Sequence, residues 1–131
     1  MSESKSVHAG SGAKQTLAMK GMQAAIAARS RAGADQKRPV CVYAICEVNK
    51  VTVRFNDISM EGMYERTPLP RIHISALRPV ARRNFTCAHE LGHHLFGHGS
   101  TIDELRTEDS RDEKAPDEVL ADAFASFLLM P

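Results

Sequence analysis

Apolar and polar positions repeat, alternate and cluster differently along this chain, and each pattern predicts an element. Residues 1–12 are rich in Ser and Gly and lack any period, so they read as a flexible tail. Residues 13–38 carry an N-terminal helix: over 13–32, Leu17, Met22 and Ile26 fall near one face, and Gly33 supplies a stop. Val51, Val53 and Phe55 alternate with polar residues as on a half-buried strand. Residues 60–65, containing Gly62, form a second candidate strand. A third is Arg71-Ile72-His73-Ile74-Ser75, with the two isoleucines inward, Arg71, His73 and Ser75 outward, and Pro68, Pro70 and Pro79 on its flanks. Residues 82–97 read as a helix, capped near Asn84 or Thr86 and ended by Gly97 and Gly99. Residues 99–116 are polar and acidic without a period, as in an exposed loop. Pro116 suits a first helical turn, and Asp117 and Glu118 follow where acids complement the helix dipole. Residues 117–130 are apolar on nearly every side and predict a buried helix.

Residues 39–49 are ambiguous. Their β-branched content favours a strand. Pro39 in a first turn, the spacing of Val42, Ile45 and Cys46, and Asn49 as a left-handed cap favour a short helix.

With 131 residues the chain has room for one ordinary domain, and its 43% hydrophobic and 25% charged content is that of a soluble globular protein. No apolar run approaches the roughly 18 residues of a membrane span. Cys41, Cys46 and Cys87 are odd in number and form no CxxC pair, which argues for a reducing, cytoplasmic setting and for cysteine as core filler. A net charge of +1 gives no bulk reason for nucleic-acid binding. Its distribution is uneven, since residues 1–38 carry seven Lys/Arg against Glu3 and Asp35, and residues 89–131 carry three against ten acids. The two ends should attract each other or face a partner with opposite signs.

His89-Glu90-Leu91-Gly92-His93 has the form HExxH. On a helix, positions four apart differ by about 40° in azimuth, so both imidazoles project from one face towards one cation. Glu90 lies about 100° round from His89, beside such an ion, where a base can take a proton from bound water. A catalytic zinc site normally has three protein ligands and one open position. Glu118 on the final helix is the choice for the third ligand, ahead of Glu104, Glu108, Asp109, Asp112 and Glu113 in the expected loop. Asp122, one turn beyond Glu118, is placed to accept a hydrogen bond from a ligand imidazole and fix its tautomer. Ala121 and Ala125 near that face would let the two helices approach closely.

Phe85-Thr86-Cys87-Ala88-His89-Glu90-Leu91-Gly92-His93, followed by the final block from Glu118 through Ala121, Asp122, Phe124 and Ala125 to Leu128-Leu129-Met130-Pro131, resembles the ImmA/IrrE family of metallopeptidases, small zincins of the gluzincin type. The likeness extends more weakly upstream through Gly62, the strand at Arg71–Ser75 and the stretch 39–53, a short helix leading into a strand in the family. It thus covers residues 39–131 as a zincin-like metallopeptidase domain and leaves the N-terminal helix unassigned. Cys87 departs from the larger apolar residue usual there, and relatives generally continue beyond the block at which this chain stops.

The resemblance implies an α+β fold, with a small sheet beside the HExxH helix and the Glu-bearing helix crossing it. It implies zinc on His89, His93 and Glu118, with Glu90 as general base. Bound water would have its pKa lowered towards about 7, and Glu90 would take its proton and deliver it to the leaving amine. Manganese or another divalent ion fits the same ligands. Tyr64, His73, His94 and His98 are alternative donors to the developing oxyanion, with His94 and His98 off the ligand face and better suited to surface or cap roles. An extended substrate could add to Arg71–Ser75 if that strand is the sheet edge. The implied partner is a protein substrate, a helix-turn-helix transcriptional repressor. Two other readings stand beside this one. One is a regulatory binding module with a structural zinc. The other is a nucleic-acid-associated factor using the basic residues 5–38, ranked last because no aromatic interleaving or DNA-binding motif accompanies them.

Overall fold

A computed structural model describes residues 9–99, 101–103 and 115–130. In chain order the elements are α1 (Ala9–Arg31), α2 (Val42–Val48), β1 (Thr52–Asn56), β2 (Gly62–Glu65), β3 (Arg71–Ser75), α3 (Val80–Leu95), β4 (Thr101–Asp103) and α4 (Pro116–Leu129). The fold is α+β. The strands form one mixed sheet in the order β1-β3-β2-β4, with β1 parallel to β3 and β2 antiparallel to both β3 and β4.

Strand alternation sends Ile72, Ile74 and Tyr64 into the core, where they join Cys87, Ala88 and Leu91 of α3. Helix α4 crosses α3 and adds Phe124, Ala125 and Leu128, and α1 covers α4 from the far side with Ala25 and Ala28. The α1–α4 contact is close. A Cβ added at Gly21 would lie 2.6 Å from Ala123 Cβ and 2.8 Å from the Phe124 backbone nitrogen, so only glycine lets the two backbones meet there. Arg29 is 2% exposed and donates to the carbonyls of Leu128 and Met130 at the end of α4 and to those of Asp35 and Arg38.

Several expectations change. The first helix begins at Ala9, inside the stretch 1–12 read as a tail; residues 9–12 contain no proline, and a nucleated helix extends by simple propagation. Residues 1–8 of that stretch lie outside the described residues. Helix α3 starts at Val80 after Pro79, with no side-chain cap. Asn84 instead accepts the Tyr43 hydroxyl at 2.6 Å, and Thr86 is buried. Residues 39–49 contain the short helix, with the left-handed position at Lys50 (φ 61°) rather than Asn49. The acidic loop holds strand β4, which pairs with β2 and needs no periodicity of its own. Strand β3 is interior, flanked by β1 and β2, so its backbone groups are already paired and no substrate can add to it as an edge. Ser75, expected outward, is buried and donates to the Ile58 carbonyl. Cys46 and Cys87 are core residues with Sγ atoms 3.5 Å apart, whereas Cys41 is exposed.

Candidate metal centre

Helix α3 is buried over its last turns, Thr86 to His93, where it packs between the sheet and α4. His89 and His93 stand one turn apart on it, and Glu118 and Asp122 stand one turn apart on α4. The helices meet where Gly92 lies against Ala121 and Phe124, which brings the two pairs of side chains together.

His89 Nε2 lies 3.1 Å from Glu118 Oε1, His93 Nε2 lies 3.0 Å from Glu118 Oε2, and the two Nε2 atoms are 3.1 Å apart. One donor atom from each of His89, His93 and Glu118 falls within 4.8 Å of the others, a grouping able to hold a metal ion. The outer ring nitrogens are engaged elsewhere. His89 Nδ1 donates to Asp122 Oδ1 at 2.7 Å, and His93 Nδ1 lies 2.8 Å from His98 Nδ1. Neutral rings committed in this way turn Nε2 lone pairs towards the carboxylate. Nitrogen and oxygen lone pairs that converge in a buried place require shared protons or a cation between them, and two imidazoles plus one carboxylate fit a divalent ion. The close approach of the His89 and then the His93 side chain holds the Glu118 carboxyl well below the usual carboxylate range, against the opposing effect of burial. The cluster reaches solvent on the carboxylate side, since Glu118 is 27% exposed while both imidazoles are buried.

Glu90 is fully buried on the same helix. Strand β2 passes over it at Gly62, where an added Cβ would stand 3.8 Å from Glu90 Oε2 and only 2.5 Å from Thr86 Cγ2. The four oxyanion candidates have other engagements. Tyr64 is fully buried with its hydroxyl 2.6 Å from His94 Nδ1. His73 contacts Glu65 and Asn56 on the sheet face away from α3. His98, read from its helical azimuth as a surface or cap residue, lies against His93. The loop acids Glu104, Glu108, Asp109, Asp112 and Glu113 lie outside the described residues.

A small mixed sheet, an HExxH helix and a crossing helix that supplies a carboxylate define the class: an α+β domain with a three-donor site suited to a divalent metal. The model of one peptidase family, Peptidase_M78, described as the IrrE N-terminal-like domain, matches residues 46–131, and the chain belongs to that family. Helix α1 lies outside the matched stretch although it packs on α4. No match was found among curated proteins or among solved structures. No helix among the described residues is long and apolar enough to cross a membrane.

Proposed function

We propose that this chain is a zinc-dependent, site-specific endopeptidase of the cytoplasm whose substrate is a helix-turn-helix transcriptional repressor, cleavage of which turns genes on. One observation carries the catalytic part: two imidazoles and one carboxylate converge from two helices beside a buried glutamate of the same HExxH turn. The choice of repressor rests on the resemblance of the sequence to the ImmA/IrrE family.

In this reading His89, His93 and Glu118 hold the ion, and the mixed nitrogen and oxygen donor set favours zinc over manganese. When bound, the ion acidifies water and polarises the scissile carbonyl. Asp122 fixes the His89 ring through Nδ1, so that Nε2 keeps its lone pair for the ion. Glu90 takes a proton from the attacking water and returns it to the leaving amine, with the apolar surroundings of α3 keeping bulk water from competing.

The test is to incubate zinc-loaded protein with repressors encoded beside its gene, using Glu90→Gln as the control and metal analysis on both proteins. Wild type should make one discrete cut. Glu90→Gln should retain zinc and cut about 10²–10⁴-fold more slowly. Cutting at the wild-type rate by Glu90→Gln would remove the general base. Zinc binding without cutting by either protein would favour a structural zinc in a binding module.

A further inference from the structure

The geometry points to His98 as a positioning residue for the ligand His93, through a relay that ends on Asp117. The inference rests on the reading of His89, His93 and Glu118 as a metal site, and concerns how one of those ligands is held.

Helix α3 closes with a left-handed turn. Gly97 has φ +76°, its N–H donates to the His94 carbonyl, and the N–H of His98 reaches back to the His93 carbonyl at 2.9 Å. This pair of bonds is a Schellman closure, in which the residue after the left-handed glycine folds back over the one five positions earlier. The contact so formed is ordinarily apolar. Here it joins two imidazoles, with Nδ1 of His98 lying 2.8 Å from Nδ1 of His93. The Arg66 guanidinium secures the same turn by donating to the carbonyls of His94 and His98. Phe96 stacks on the His98 ring.

Proton placement follows from the partners. His93 Nε2 faces Glu118 and His89, so Nδ1 carries the His93 proton and donates it to His98 Nδ1. His98 must then carry its own proton on Nε2, which lies 3.2 Å from Asp117 Oδ1. Asp117 therefore sets the tautomer of His98, and His98 sets that of His93. The two ligand imidazoles are thus held alike from behind, His89 by a carboxylate directly and His93 by a carboxylate acting through one intervening ring. Asp117 and Glu118 are neighbours on the first turn of α4, so the relay also pins the ligand carboxylate's own turn to the end of α3.

The experiment measures zinc affinity by competition with a chromophoric chelator, together with the visible spectrum of the cobalt-substituted protein. His98→Phe keeps the aromatic stack and removes the acceptor, and should weaken zinc binding about 10–100-fold and alter the cobalt spectrum. His98→Gln restores an acceptor oxygen and should return affinity to within about threefold of wild type. At the exposed Asp117, Asp117→Ala should weaken binding while Asp117→Asn should not, because the amide oxygen still accepts from Nε2. A role in complementing the helix dipole would instead make the two Asp117 variants equal. The relay is overturned if His98→Phe binds zinc as tightly as wild type, if His98→Gln is as weak as His98→Phe, or if the two Asp117 variants match. Failure of wild type itself to bind zinc would overturn the metal-site reading instead.

Discussion

Replacing Arg29 tests whether α1 is an integral part of this domain. Its guanidinium makes five hydrogen bonds to four carbonyls: two to Leu128, and one each to Met130, Asp35 and Arg38, at 2.6–3.1 Å. Arg29→Met keeps most of the aliphatic stem and deletes every donor. The Leu128 carbonyl sits where no water replaces the lost bonds, and an unsatisfied buried acceptor costs about 1–3 kcal/mol. The other three carbonyls are partly buried and lose charge-assisted bonds that solvent restores only in part, adding about 2 kcal/mol together. A total of about 3–5 kcal/mol is a large share of the 5–15 kcal/mol that stabilises a typical domain. Urea unfolding followed by circular dichroism, with chelator present so that metal binding does not mask the change, should show the midpoint falling by about 2 M. Arg29→Lys should recover less than half, because one ammonium cannot span four carbonyls set around a planar fork. A loss below about 1 kcal/mol, or full recovery with lysine, would refute the assignment of Arg29 as the tie between α1 and α4.

Other perturbations should act in stated directions. Gly21→Ala should destabilise by about 1–3 kcal/mol in the same urea assay, because its Cβ meets the α4 backbone, whereas Gly12→Ala on the same helix, with nothing within 4 Å, should be neutral or stabilising. Burial, and after it the neighbouring Cys87, raises the Tyr43 phenol above its ordinary value of 10.0, so the folded chain keeps a proton that the unfolded chain loses. Stability from this group is complete below about pH 10 and declines as pH rises further, and Tyr43→Phe should flatten the decline in alkaline unfolding curves. The Cys87 thiol is raised by its hydrogen bond with Cys46 and by burial, so iodoacetamide should label Cys41 alone in the native protein and all three cysteines in urea, as read by mass spectrometry.

The candidate metal cluster was legible as a grouping because its members are related by helical spacing. His89 and His93, like Glu118 and Asp122, are i and i+4 pairs, and that spacing fixes a shared face whatever the tertiary context. Pairing of the two helices was legible only through the small residues Ala121 and Ala125, and the structure sets Ala121 against Gly92 of α3. The reasoning stopped where regular geometry stops. Helical azimuth placed His98 off the ligand face, but the left-handed Gly97 ends the helix before it and swings its ring back. A glycine four residues after His93, itself followed by histidine, was the available signal. Strand order is not a local property, so nothing in Arg71–Ser75 could show that strands lie on both sides of it. Helix α1 was misread because the face marked by Leu17, Met22 and Ile26 is not the one it buries: Ile26 is exposed, and the helix packs through Gly21, Ala25 and Ala28, small residues that give no apolar signal.

The uneven charge distribution finds part of its outlet in an unexpected form. Blocks of basic and acidic residues suggested attraction between side chains of opposite sign, yet two arginines, Arg29 of the basic segment and Arg66 beyond it, act on backbone carbonyls at helix C-termini. Arg29 takes those at the end of α4, and Arg66 takes those at the end of α3. These are the negative ends of the helix dipoles, where a cation is favourable without any carboxylate partner. Both helices carry the candidate metal ligands, so the arginines fix the C-terminal ends of the two elements whose crossing sets the site, Arg66 beside His93 and Arg29 at the end of α4 opposite Glu118. Burial of Arg29 also withdraws one cation from the basic segment 5–38, which weakens the reading of that segment as a nucleic-acid contact and strengthens its reading as a strut behind α4.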